Sequence, residues 1–263
     1  MLRSASLVIM ALAATSVAVE SASAQKAKPV ANATNRNAKV MDPKAKAILD
    51  RHAAATKPAA TPKYRHIVAE IRSGESAVMR LEKFTMLPDK ILTRTTYPAL
   101  GTTEAGYDGK IGWSMSPHTG PMLLEGEPLN QLKATTGSPL HVIDEDFVEL
   151  KIVGREALEG RAVNAVWALA ANRDASTYYF DVESGLLAGY RPRTTDGQPT
   201  DTTNMMLFGD YKRFYGTLQP TKLTVRAPGY DIVTRVLHVD QDSIDAAKFA
   251  PPAAVRELAK KIP

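Results

Sequence analysis

The stretch "GYDGKIGWSMSP", Gly106 to Pro117, spaces its glycines three apart, at 106, 109 and 112. Two readings compete for it. As a phosphate-cradling loop it would mark a nucleotide-using enzyme. As a tight turn between two strands it would mark a β protein whose returning arm presents Trp113. Context decides. A dinucleotide loop needs a strand before it and a helix opening directly after it, because the helix N-terminus carries the phosphate site. Here Gly112 is followed by Trp-Ser-Met-Ser-Pro, a strand and then a proline, and no Gly-Lys-Ser/Thr occurs. The stretch is therefore a hairpin. Asp108-Gly109 is expected to supply the two positive-φ positions of a type I′ turn. Ile111, Trp113 and Met115 share one face of the second arm, and Gly112 and Ser114 the other.

Working outward, a period of two holds from Tyr64 to Asp240. "YRHIVAEIRS" and "SAVMRLEKFTM" flank the turn at Ser73-Gly74-Glu75, and "DKILTRTTYPALGT" follows Pro88-Asp89. Further on, "FVELKIVGREALEG", "RAVNAVWALAA", "STYYFDV", "LLAGYRPR", "TNMMLFGDYKRF", "TLQPTKLTVRA" and "YDIVTRVLHVD" continue the pattern. The last of these follows Pro228-Gly229. Ten or eleven strands in meander order are expected. Three helical pieces interrupt them. In "DPKAKAILDRHAAA", Asp42 is the N-cap, Pro43 the first helical residue, and Ala45, Ile48, Leu49 and His52 one face. In residues 121–136, Met122, Leu123 and Leu124 run without alternation into a helix opening near Pro128 and stopped by Gly137-Ser138-Pro139. "AVRELAKKI" closes the chain. Strands do not alternate with long helices, so a parallel α/β sheet is excluded. The expected fold is mainly β with a few helices (α+β), built on a single strongly curved antiparallel sheet whose inner face the helices cover.

The first residues, "MLRSASLVIMALAATSVAVESASAQ", carry Arg3, an apolar run from Leu7 to Ala14, and Ala22-Ser23-Ala24. That is the order of a secretory signal, cleaved after Ala24. The run is too short for the ~20 apolar residues of a membrane span. Residues 25–41 read as a flexible linker, and 42–263 as a single domain. With no cysteine in the chain, disulfide staples and N-terminal cysteine acylation are both excluded. A soluble exported protein follows, periplasmic in a Gram-negative host. The net charge of +5 is dispersed, without the basic blocks or interleaved aromatics of a nucleic-acid binder.

Chemistry is sparse. His52, His66, His118, His141 and His238 show no i, i+4 pair. The Gly-x-Ser-x-Gly and Ser-x-x-Lys nucleophile signatures are missing, and Asp144-Glu145-Asp146 lacks the ligand spacing of a calcium loop. No catalytic residue, metal or cofactor is expected. A hydrolase would require His66, His238 and the Asp144–Asp146 run to meet in space. What remains is apolar: Ile111, Trp113, Met115, Met122, Leu124, Trp167, Phe180, Met206 and Phe208. These could line a cavity for an acyl chain, Met adapting to irregular shapes. The sequence alone favours packed core over a cavity lining, since that is the commoner fate of large apolar side chains.

The order of motifs resembles the outer-membrane lipoprotein-sorting (LolA/LolB-like) superfamily over residues 42–252. The similarity is carried by "LPDKI", the "YDGKIGW" hairpin, the helical excursion, "YYFDVESGLLAGY", "FGDYKRF" and "IDAAKF". It implies an antiparallel half-barrel wrapped around helices and a non-enzymatic activity: holding a lipid acyl chain or a lipoprotein in an apolar cavity. A monomer is expected, whose partners are that ligand and envelope membrane proteins; because the helical excursion directly follows the Trp113 strand, residues 121–136 are expected to form a mobile cover. The sorting carriers carry an Arg-Pro element that closes their lid. Here Pro88 follows Met86-Leu87, leaving Lys83 or Arg80 as the basic substitute. An envelope sensor with a packed interior is the alternative reading.

Overall fold

A computed structural model describes residues 40–57, 60–74, 78–135, 147–170, 175–193, 205–227 and 229–260. The stretch read as a signal, most of the stretch read as a linker, Glu75, Gly137-Ser138-Pro139, His141, Asp144–Asp146 and Pro228 lie outside them. Fourteen strands are found among the described residues. In chain order they are β1 (Val40–Met41), β2 (Tyr64–Ser73), β3 (Met79–Met86), β4 (Lys90–Tyr97), β5 (Gly101–Tyr107), β6 (Gly112–Ser116) and β7 (Gly120–Leu124). The second series is β8 (Phe147–Leu158), β9 (Arg161–Ala170), β10 (Ala175–Asp181), β11 (Leu187–Arg193), β12 (Met205–Phe214), β13 (Thr217–Ala227) and β14 (Tyr230–Asp240). The helices are α1 (Pro43–Thr56), α2 (Gly126–Ala134) and α3 (Ala253–Ala259), with a 3-10 turn at Ala246–Phe249.

All fourteen strands join one curved, unclosed sheet in the order β1-β8-β9-β10-β11-β12-β13-β14-β2-β3-β4-β5-β6-β7. Two meanders, β2–β7 and β8–β14, are thus sewn together where β14 pairs antiparallel with β2. Every pairing is antiparallel except the short parallel contact of β1 with β8. Fourteen strands exceed the ten or eleven expected, and two of them lie in stretches read otherwise. Val40 and Met41, at the end of the stretch read as linker, form β1. Met122, Leu123 and Leu124, read as the start of the helical excursion, form β7 against β6. Their alternation is hidden because β7 is short and follows a turn at Gly120 with φ 70°.

Register assigns each side chain to one of two faces, since successive residues of a strand point to opposite sides. The α1 face carries Ala168, Tyr178, Phe180, Leu187, Phe208 and Leu223, all buried with Ala45 and Leu49 of α1. Following the cross-strand partners Leu223↔Thr234, Thr234↔Ile71 and Ile71↔Met79, this face continues through Ala69, Ile67, Leu81, Ile91 and Tyr107. The other face, the Trp113 face, carries Phe84, Met86, Leu92 and Trp113 under Phe249 and Val255 of the C-terminal segment. It continues through Val163, Ala165, Tyr179 and Met205. Each of these large side chains stabilises the fold by roughly 1.5–3 kcal/mol relative to exposure.

α1 forms for local reasons. The Asp42 carboxylate accepts the N–H groups of Lys44 (2.8 Å) and Ala45 (3.4 Å), and Pro43 occupies the first turn. Ala45, Leu49 and His52 recur at helical spacing on its buried side. At its far end His52 Nδ1 accepts Leu187 N–H at 3.2 Å, while Arg51 donates to the carbonyls of Val182 and Glu183. These contacts fix α1 to the turn between β10 and β11.

Candidate functional site

The opening hairpin differs in one detail from its reading. Its loop is four residues long, Asp108 to Ile111, and only Gly109 has positive φ, 100°. Asp108 instead caps the turn through its carboxylate, which accepts N–H from Lys110 (2.8 Å) and Ile111 (2.7 Å). This is an Asx turn, which needs no left-handed Asp. The flanking glycines make room. A Cβ on Gly106 would lie 2.7 Å from the Trp113 ring, and one on Gly112 2.5 Å from Cδ1 of Leu129 in α2. Gly106 admits the indole on one face of the sheet, and Gly112 admits α2 on the other.

That division governs the nine apolar candidates. Trp113 is 1% exposed and sits with Ile111, Met115 and Leu123 beneath Phe249 and Val255. Trp167 lies on the same face, in a separate patch with Val148, Leu169 and Ala175. Phe180, Met206 and Phe208 lie on the α1 face and pack into the core that receives α1. Leu124 pairs with Gly112 and Met122 with Ser114, so both belong to the α1 face; Met122 is 46% exposed. The nine do not line one chamber. Nor does α2 cover Trp113: Leu129 meets Gly112, and Lys133 Nζ lies 4.7 Å over the Tyr107 ring, both on the α1 face. Trp113 is covered by the C-terminal segment instead. Alternation along β6 gave which residues share a face, but not which helix covers it.

The basic substitutes for the lid arginine also separate. Arg80 points to the Trp113 face, 3.5 Å from Glu82. Lys83 points to the α1 face, where its Nζ donates to the carbonyl of Thr135 at the end of α2. Lys83 is 4% exposed and Arg65, on the neighbouring strand, 9%. Arg65 faces Thr85 across β2 and β3, and Lys83 is two residues along from Thr85 on that same face. Such diagonal neighbours lie within reach of long side chains. Burial, reinforced by the Arg65 charge, pulls the Lys83 ammonium down to about 7. Burial also lowers Arg65, whose Nε is buried without a hydrogen-bond partner.

One histidine cluster forms. Asp240 Oδ2 lies 3.0 Å from both His66 Nδ1 and His238 Nε2. The three offer ligand atoms within 4.8 Å of one another, a donor set of the kind zinc or copper accepts. His66 also stacks on Phe84, with ring centroids 4.2 Å apart. Burial works against the Asp240 charge, yet the hydrogen bonds from His66 and His238 hold its carboxyl below the usual carboxylate range. The hydrolase reading thus finds its two histidines together, with Asp240 as the carboxylate. Among the described residues, no side-chain hydroxyl hydrogen-bonds to either imidazole.

No protein-family model matches the sequence, and no curated protein matches it. Among solved structures it aligns with a LolA superfamily protein from Nitrosomonas europaea, with a TM-score of 0.51 and 12% identity. The alignment covers 79% of this chain and 97% of that one. The fold is LolA-like. A DUF1329 family protein from Desulfovibrio piger aligns similarly, with a TM-score of 0.53 and 12% identity over 80% of this chain and 98% of the other. At such identity the likeness concerns architecture, and function has to be argued from the site. Among the described residues, no helix of the LolA-like chain is long and apolar enough to cross a membrane.

Proposed function

We propose that the protein is an exported, non-enzymatic carrier that holds a lipid acyl chain or a lipoprotein's acyl moiety inside a half-barrel. The seat is the α1 face between its two helices. α1 packs on β8 and β13, and α2 reaches β5. Between them β14, β2, β3 and β4 present a floor of Val239, Ile67, Ala69, Ile71, Leu81 and Ile91, each at most 7% exposed. This buried apolar floor, bounded by a helix on each side, is the observation that carries the reading. The LolA-like architecture and the N-terminal export signal support it. α2 is the cover, held at its C-terminal end by Lys83. The ligand seat accordingly moves from Trp113 to the opposite side of the sheet.

The test is binding of a fluorescent fatty-acid analogue to the delipidated protein, with displacement by unlabelled fatty acid. Saturable binding is expected. Its absence, together with a lipid-free native mass spectrum from periplasmic preparations, would sink the carrier in favour of an envelope sensor with a packed interior. The tight packing of Trp113, Phe180 and Phe208, each at most 2% exposed, is the observation that favours that second reading.

A further inference from the structure

The α1 face holds a charge imbalance. Arg65 and Lys83 are both buried there, yet every carboxylate of β2 to β5 points the other way. Glu70 pairs across the strands with Arg80 and Arg235, Glu82 with Val68 and Arg94, and Glu104 with Arg94 and Met115. All three lie on the Trp113 face. Arg94, on that face, has its partner in Glu104. Among the described residues Arg65 has none: the residue is 9% exposed, and its Nε is buried with no acceptor. Among the described residues Lys83 meets only a neutral carbonyl. A buried charge without a partner is strongly unfavourable unless an opposite charge arrives. A guanidinium is also shaped to grip an oxyanion in two-pronged fashion.

Resting on the carrier reading, we infer that Arg65 and Lys83 form an interior oxyanion seat that selects ligands with an acidic head, a carboxylate or a phosphate. Arg65 grips the head with its parallel N–H groups. Lys83 has three protons, so one amine can hold the Thr135 carbonyl and still donate to the anion. The hydroxyl of Thr85 lies on the same face, across from Arg65. The chain of the ligand then runs along Ile67 and Ile91, the apolar neighbours on that face. The seat also gives a reason for two buried cations in β2 and β3, where the carboxylates of β2 to β5 face away.

The test compares three probes on the delipidated protein by calorimetry: hexadecanoate, hexadecanol and inorganic phosphate. Charge-assisted hydrogen bonds predict that hexadecanoate binds roughly ten- to a hundredfold tighter than the alcohol. Phosphate competing with hexadecanoate at millimolar concentration supports the seat. Phosphate binding that leaves hexadecanoate undisturbed overturns the assignment. In the Arg65→Met, Lys83→Met double variant the ratio of hexadecanoate to hexadecanol affinity falls to about one, and loss of the Lys83 contact to α2, which acts on both lipids alike, leaves that ratio unaffected. Removing two uncompensated buried charges should not unfold the protein, and the alcohol arm reports directly on its integrity. Equal binding of acid and alcohol by the wild type overturns the oxyanion seat and leaves the carrier standing. A preference that survives the double variant overturns the assignment to these residues. Failure of both lipids to bind overturns seat and carrier together.

Discussion

Trp113 and Gly106 show how one side chain dictates its neighbour. The indole lies where a Cβ on residue 106 would stand 2.7 Å away, and it is sealed from solvent. Gly106→Ala must push a buried ring into a packed cluster, so it should cost about 1–3 kcal/mol, read as a lowered urea midpoint at unchanged slope. Lys83 supplies a pH test. Its folded value of about 7 lies below the ordinary lysine value, so between pH 7 and about 10.4 the unfolded state binds the extra proton. Stability attributable to Lys83 therefore rises with pH across that window, by up to about 1.4 kcal/mol per pH unit. Below pH 7 both states are charged and the term is constant. The difference in melting free energy between wild type and Lys83→Met should show this slope; a difference independent of pH would contradict it. Alternation sets Arg65 opposite to Glu70 within β2 and Lys83 opposite to Glu82 within β3, but that Arg65 and Lys83 share a face follows only from the register. Their burial was not legible either, because it depends on what covers the face.

Elements were legible where their local chemistry was complete. α1 has a capping aspartate, a first-turn proline and an apolar stripe, and it forms over Pro43–Thr56. Its docking depends on His52, which is 5% exposed and accepts the N–H of Leu187. His52→Leu keeps the apolar contact with Phe180 but orphans that N–H, and should destabilise by about 1–3 kcal/mol. Amide exchange at Leu187 should quicken more than exchange in β3. The excursion after Trp113 was legible only in its second half. Pro128, Leu129 and Leu132 sit in α2 (Gly126–Ala134), but β7 was missed, because five residues ending in three consecutive apolar ones carry no alternation to outweigh a helix reading. The strand exists through pairing with β6, a tertiary fact.

At the scale of the whole molecule, both tryptophans lie on the face away from α1 and α2. A ligand held between those helices touches neither. Trp113→Phe and Trp167→Phe should therefore leave fatty-acid affinity unchanged while lowering the thermal midpoint. A loss of affinity in a variant that stays folded would return the binding seat to the Trp113 face.

The sequence by itself determined the class of fold. Alternation over long strands, turn residues between them and the absence of interleaved long helices leave only an antiparallel sheet with helical additions, since backbone periodicity is a local property of the chain. It also determined which residues share a face, because side-chain direction along a strand repeats every two residues. The tertiary structure alone decided which face receives which helix. It joined β14 to β2, laid α1 and α2 on one side, and closed the C-terminal segment over Trp113 on the other. Those choices rest on contacts between residues far apart in the chain, such as Lys83 with Thr135 and His52 with Leu187, and no local pattern encodes them. Trp113, the most conspicuous residue of the opening hairpin, thereby becomes core, and two basic residues on neighbouring strands, Arg65 and Lys83, become the candidate site.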